Sequence, residues 1–422
     1  MQVMLDKAHP NKVCRLCGDP HLKEAFDFGE VPLGNNLQHS QNEAMHVDQF
    51  RLNVMQCKRC GHFQLGQSVA KELLYATNYT YLSGVGQAFL SHIQDYVNWI
   101  KKTCHLHKNA LVLDIGSNDG TCLSVFKQQG FRVLGIDPAE LPASIANKKN
   151  IPTVNDFFNS KTANKLIQDY GFVDLVTSQN VLAHVEDLRE TFENIYKILK
   201  PNGYFVFEVG YFHEVLKSKC FDTIYHEHID YHHASPLALY LSSLGFDVLN
   251  FSINSIQGGS LRVLLRKTGF GFISEDAQKF IIGEKKSVLY DSFFLENWTN
   301  NIRSSMADLK EIVVGYQKEA FKIVGYGAPT KATLLLTLSG LSNNVIEFIC
   351  EDNQFKIGRY LPKTSILIRP TSDLEVFLME HKSVILILAW NFADDIIMKL
   401  KSKVKIPTTI IIPLPDLRIL TI

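Results

Sequence analysis

A chain of 422 residues exceeds one ordinary hydrophobic core, so two or three domains are expected. With 46% hydrophobic residues and 43 basic against 43 acidic side chains, it reads as a soluble globular protein, without the electrostatic footprint of a binder of nucleic acid or of an anionic membrane. The first twelve residues lack the apolar core of a secretory signal and no apolar run reaches membrane-spanning length, so the cytoplasm is the expected location. In that reducing compartment the eight cysteines read as metal ligands and buried thiols rather than a disulfide framework.

The first chemistry in the chain is a pair of CxxC knuckles, Cys14/Cys17 and Cys57/Cys60, each followed by a glycine (Gly18, Gly61) that lets the backbone turn both thiolates toward one point. Together they supply four soft ligands for a tetrahedral ion, for which Zn(II) is the usual occupant. The intervening FDFGEVPLGNNLQ and FRLNVMQC segments read as strands and turns able to close the long gap between the pairs. Four sulfur ligands leave no open position for a substrate, so the zinc is expected to be structural. Two unrelated buried pairs are the alternative; a redox motif would need only one.

A helix-like approach over 87–104 leads to ALVLDIGSNDGT at 110–121, a buried strand entering a glycine turn, with a helix after it. A second strand, 132–137, ends in Asp137, about twenty residues past the first glycine and placed to accept from a ribose diol. Strand and helix alternate through 173–177, 188–199 and 203–208, which predicts a doubly wound parallel sheet. The loop reads DIGSNDG rather than GxGxxG, and Asp114 on the strand end suits a cationic sulfonium and amino group better than a pyrophosphate. The pattern resembles motif I of the class I S-adenosylmethionine methyltransferases, and Lys200-Pro-Asn-Gly203 resembles their turn before a strand. The expected cofactor contacts are Asp114, Gly116, Asn118, Asp137, Asp156 and Asn180. An oxidoreductase using NAD is the competing reading.

Residues 221–233, FDTIYHEHIDYHH, then gather four histidines, two tyrosines, two aspartates and a glutamate. So much proton-transfer chemistry in one stretch reads as a reaction site, against the plainer reading of a polar loop whose histidines cap or solvate. A metal reading of His226, His228 and His232 also stands open at this point, because HxH on an extended segment can chelate. From about residue 269 an α/β pattern begins again: helices over 276–285 and 298–319, a buried strand 321–327, a helix from Thr330, and apolar runs at 345–350, 384–389 and 408–412. Gly325-Tyr-Gly327 is half of a dinucleotide loop weakened by Pro329 and a missing third glycine, so an emptied or repurposed Rossmann-like unit is expected, with Lys331 a candidate phosphate contact.

The paired knuckles, the VPLGNNL segment, the cofactor half, FDTIYHEH, the QGGSLR run at 257–262 and GYGAPTK at 325–331 together resemble the zinc-containing sugar C-methyltransferases, which methylate carbons of nucleotide-linked keto-deoxy sugars. The resemblance extends over nearly the whole chain; it departs at Gln257, where a histidine is expected. It implies a small zinc-binding domain (1–75), a class I methyltransferase Rossmann-like core (76–268) and a C-terminal Rossmann-like α/β domain (269–422) that holds the substrate's nucleotide. It implies Zn(II) and S-adenosyl-L-methionine as cofactors, a nucleoside-diphosphate keto-deoxy sugar (dTDP or another) as partner, neither nucleic acid nor membrane, and a monomer or homodimer. By matched position its catalytic groups are Tyr79, His184, Tyr225, Glu227 and His228, with Tyr75 and Tyr81 open as substitutes for Tyr79. Carbon methylation next to a ketone needs a base, for which His228 is the candidate with Glu227 to orient or polarise it. It also needs donors at the developing oxyanion, for which Tyr79, Tyr225 and His184 have the right groups. O- or N-methylation of a related sugar, and a non-catalytic nucleotide-binding zinc scaffold, are the alternatives.

Overall fold

The structure is a computed structural model that describes residues 7–70, 73–74, 87–404 and 406–422. Its elements fall into three sheets and a two-stranded ribbon (Ala8–Pro10 with Gln67–Val69). The first sheet is antiparallel. It runs Leu22–Pro32, Gln49–Cys57 and Phe63–Leu65, and its fourth strand is Asp230–Tyr231, donated by the histidine-rich segment from far along the chain.

The central sheet has seven strands in the order Phe246–Asn254, Ser260–Lys267, Leu199–Gly210, Val173–Gln179, Leu111–Ile115, Arg132–Ile136, Thr153–Val154. The last five are mutually parallel, and Ser260–Lys267 inserts antiparallel beside Leu199–Gly210. Parallel strands covered on both faces must be apolar throughout, and Leu111–Ile115 is buried at every position. Lys200-Pro-Asn-Gly203 is not a turn before the strand but an irregularity inside it: Leu199 pairs Val173, the register then shifts, and Asn202 adopts φ +63°.

The third sheet runs Ile368–Pro370, Ile346–Glu351, Lys322–Tyr326, Ser383–Ile387, Thr409–Ile412, all parallel, with Arg418–Thr421 antiparallel at the edge. In chain order this is 3-2-1-4-5-6, the doubly wound dinucleotide-fold order. The fold is therefore α/β with two Rossmann-like sheets and a small N-terminal unit. The helix before the third sheet spans Ser292–Lys318, longer than its expected start at Trp298: Asp291 caps it by accepting from the Phe294 amide, so the SFFL run is already helical. This helix straps the units together. Trp298 packs 4.8 Å from Phe26 of the first sheet and donates its indole N–H to the Leu216 carbonyl, while Arg303 donates to the Asp27 carbonyl. No helix among the described residues is long and apolar enough to cross a membrane.

Candidate active site

The four cysteines converge: their sulfur atoms all lie within 4.8 Å of one another, with Cys14 to Cys60 at 3.7 Å and Cys17 to Cys57 at 3.6 Å. Tetrahedral zinc with Zn–S bonds of about 2.3 Å sets its sulfur atoms about 3.8 Å apart, so the thiols stand where a zinc would hold them. The hydrogen bond between Cys14 and Cys60 holds the Cys14 thiol low and pushes the Cys60 thiol up, and burial raises Cys17 to about 11, so without a metal the cluster shares its protons unevenly. Among the described residues this is the one gathered group of potential ligands. The histidine-rich segment forms no second one, because His226 turns to the Phe50 carbonyl and His232 to the Leu182 carbonyl.

The carboxyl end of the central sheet forms the second cluster. Gly116 sits at φ +70°, and a Cβ there would lie 2.3 Å from Val181, so only glycine lets the loop after Leu111–Ile115 pass the loop after Val173–Gln179. Asp114 is buried, accepts from Thr177 Oγ1 at 2.7 Å, and is pushed by burial up to about 7 with Asp137 adding to the rise. Asp137 accepts the Asn118 amide at 2.9 Å and the Ala139 amide at 2.8 Å, one on each oxygen; burial raises its carboxyl against those two bonds. Asn118 and Asn180 both adopt left-handed backbone (φ +50° and +55°), and Asp156 is exposed at the rim.

Gln179, beside Asn180, carries no motif that would mark it as a site residue. Its Nε2 and Oε1, and Asn180 Oδ1, are buried without a hydrogen-bond partner among the described residues. One unsatisfied donor and two unsatisfied acceptors on adjacent residues are costly unless a ligand completes them. S-adenosylmethionine, with an ammonium, a carboxylate and a ribose diol, has groups of the complementary kinds, so the residues present fit it. On the far side of Gln179, Glu208 is fully engaged by His92 (2.6 Å), Arg262 (2.7 Å) and Asn254 (2.9 Å).

The histidine-rich segment passes between all three sheets. It is not a solvated loop. Asp222, buried, accepts from the Trp390 indole at 2.5 Å and lies 3.9 Å from Lys331, whose ammonium stands 3.8 Å over the Trp390 ring; the charge of Lys331 is thus matched within the protein. Asp230 is clamped by Arg15 at 3.0 Å and by His62 at 2.9 Å, and Arg15 also donates to the Val185 carbonyl. Burial would raise the Asp230 carboxyl, but these neighbours carry it below the usual range. His233 bridges the Gly61 carbonyl and Glu284. Of the segment's residues, His226, His232 and His233 therefore build the scaffold.

The remaining ones face one another. His228 Nδ1 donates to the Thr223 carbonyl at 2.7 Å, which fixes the proton there and leaves the lone pair on Nε2, 3.0 Å from the Tyr225 hydroxyl. Burial and the neighbouring His184 depress the His228 imidazolium to about 3, so the ring is a free base at neutral pH. His184 lies with its ring centroid 4.7 Å from that of His228 and donates from Nδ1 to the Glu227 carbonyl at 2.7 Å. In that tautomer His184 Nε2 is an acceptor, and it donates to an oxyanion only after taking a second proton. Burial pushes the Glu227 carboxyl up to about 7 despite Asn35, which donates to Oε1 at 2.8 Å, and Lys356. Tyr79, with Tyr75 and Tyr81, lies outside the described residues. The structure so brings together His228, Tyr225 and His184; Glu227 meets His184 through its backbone carbonyl, while its carboxyl turns to Asn35.

Three stretches of the chain match known protein families: residues 14–75 a "Putative zinc binding domain", 89–250 a "Methyltransferase domain", and 255–415 a "C-methyltransferase C-terminal domain". C-methyltransferase NovU of Streptomyces niveus is 29% identical over 419 residues, covering 99% of both chains. The three matches and this full-length likeness support the zinc-containing C-methyltransferases as its family. The chain is an S-adenosylmethionine-dependent methyltransferase with a zinc-binding unit. A ubiquinone biosynthesis O-methyltransferase of Pseudomonas aeruginosa is 31% identical over 109 residues, a quarter of this chain and 47% of that protein. Among solved structures, a magnesium protoporphyrin IX methyltransferase from Synechocystis with bound S-adenosylmethionine aligns over 42% of this chain and 79% of that one, with 16% identity and a TM-score of 0.33. The zinc-binding, methyltransferase and C-methyltransferase C-terminal matches follow one another along the chain in that order.

Proposed function

We propose that this C-methyltransferase acts on a nucleoside-diphosphate 4-keto-deoxy sugar and methylates the carbon next to the ketone, C3 in the first instance. The observation that carries this reading is the grouping of His228, Tyr225, His184 and Glu227 where the three units meet, because methylation of carbon, unlike that of an oxygen or amine, begins with removal of a C–H proton. S-adenosylmethionine supplies an electrophilic methyl group. Asp114, Gly116, Asn118, Asp137, Asp156 and Asn180 are assigned to hold it, and Cys14, Cys17, Cys57 and Cys60 to hold the zinc. Residues 1–75, 76–268 and 269–422 are assigned as the zinc, methyltransferase and nucleotide-binding domains.

His228 takes the proton on Nε2, the nitrogen its bond to Thr223 leaves basic. An isolated imidazole with a conjugate acid near 3 is a weak base. An enolate forming beside it favours the imidazolium. Tyr225 turns its hydroxyl from Nε2 to the nascent oxyanion, and His184, whose imidazolium burial disfavours, is assigned beside it by resemblance. Tyr79 is assigned to the same oxyanion by resemblance. The enzyme is assigned to the cytoplasm as a monomer or homodimer; its eight cysteines form no disulfide.

With S-adenosylhomocysteine in place of the methyl donor, solvent deuterium should enter the sugar at the carbon beside the ketone, read by NMR. Retention of that hydrogen through many turnovers' worth of enzyme, under conditions where the methyl donor gives product, would remove the enolate step.

A further inference from the structure

The catalytic carboxyl of Glu227 is not held by its own segment. Among the described residues its side-chain hydrogen bond comes from Asn35, 192 residues earlier, whose Nδ2 donates to Oε1 at 2.8 Å. The orientation of that amide is itself determined from the other side, because Thr330 Oγ1 donates to Asn35 Oδ1 at 2.6 Å. A carboxylate only accepts, so Asn35 must offer its NH2 to Glu227 and its carbonyl to the threonine hydroxyl. The approach is close by construction. A Cβ on Gly34 would fall 2.5 Å from the Thr330 carbonyl oxygen, and Thr333 Oγ1 donates to the Gly34 carbonyl at 3.3 Å. Thr330 and Thr333 lie at the start of the helix Ala332–Ser339 in the third sheet's unit, whereas Asn35 follows the strand Leu22–Pro32 of the first.

We propose that Asn35 is a positioning residue for Glu227, set in place by Thr330, so that the first and third units together orient a carboxyl of the central reaction site. The proposal rests on the reading of Glu227 as part of the catalytic group. Around Glu227 the charged and titratable groups are Lys356 from the third unit, His184, whose Nδ1 meets the Glu227 backbone carbonyl, and His226 and His228 beside it in the chain; Asn35 is the neutral donor among them. Glu351 faces Lys356 in turn. A donor to a carboxylate stabilises the ionised form, so removing Asn35 must raise the pH at which Glu227 ionises, and removing the Thr330 hydroxyl, which frees the amide to turn, must do the same to a smaller degree.

The test compares full-length Asn35→Leu, Thr330→Val and Glu227→Gln with the parent enzyme, each checked for zinc content and S-adenosylhomocysteine affinity. The Glu227 titration is read directly as the carboxyl band that Glu227→Gln removes from the infrared difference spectrum, and independently as the acid limb of kcat/KM. Asn35→Leu should move both to higher pH by about half to one unit and lower kcat at pH 7 by about tenfold, with Thr330→Val shifting in the same sense by less. A carboxyl band that titrates at the parent pH in Asn35→Leu overturns the positioning role, whatever the activity. A band that moves while Glu227→Gln keeps full activity overturns instead the catalytic reading on which the role rests.

Discussion

Replacement of His228 by alanine is expected to lower turnover by about three orders of magnitude, within the range general-base removal costs, and to leave S-adenosylmethionine affinity at the parent value. Affinity survives because His228 touches none of the groups assigned to the cofactor; its nitrogens are engaged by Thr223 and Tyr225. The loss falls on kcat because the imidazole carries its lone pair on Nε2, beside the Tyr225 hydroxyl. Its pH behaviour is distinctive. With its conjugate acid depressed to about 3, His228 stays unprotonated across the neutral range, so it contributes no acid limb there. The limb should come from Glu227, ionised above about 7: kcat/KM falls as pH drops below that value and the limb disappears in Glu227→Gln. Isothermal titration with S-adenosylhomocysteine beside steady-state kinetics checks both halves. Turnover of His228→Ala within a few-fold of the parent would dismiss it as the base.

The second large effect concerns a metal that takes no part in the reaction. Cys14→Ala should abolish stoichiometric zinc and, with it, turnover, even though no cysteine faces the catalytic group. The path is short. The knuckle residues Arg15, Gly61 and His62 hold Asp230 and His233 directly, and Asp230–Tyr231 is a strand of the sheet that the knuckles close. Asp230 is two residues from His228. A structural zinc contributes on the order of 10 kcal/mol to folding of its unit, far more than one lost clamp. Metal analysis, thermal unfolding and turnover on the variant should fall together, with Arg15→Ala an intermediate case that keeps zinc but weakens the clamp. Full zinc retention in Cys14→Ala, or full turnover without zinc, would contradict this coupling.

Much of this architecture was legible in the sequence because its signals are local. A CxxC followed by glycine, an apolar strand entering DIGSNDG, and apolar runs spaced by helices each declare themselves within a dozen residues. The crowding of FDTIYHEHIDYHH likewise marked where chemistry should be sought; His226, His232 and His233 bond to backbone carbonyls of other segments, while His228 meets Tyr225. What stayed hidden were partnerships set by the tertiary fold. Arg15 reaches Asp230 across 215 residues, Asn35 reaches Glu227 across 192, and Thr330 reaches Asn35 across 295. No periodicity announces such pairs. Gln179 was missed for a different reason: a single amide at a strand end is an ordinary residue until its surroundings prove to be dry. The early start of Ser292–Lys318 was missed because an apolar SFFL run looks like a strand until the Asp291 cap is seen.

The central claim is that the methyl group goes to carbon beside a ketone, and the position of the new methyl tests it most directly. The enzyme should be given a panel of keto-deoxy sugar nucleotides with carbon-13-labelled methyl donor, and the products read by two-dimensional NMR. The account predicts a labelled methyl bonded to a ring carbon adjacent to the ketone. A labelled methyl found on oxygen or nitrogen would contradict it.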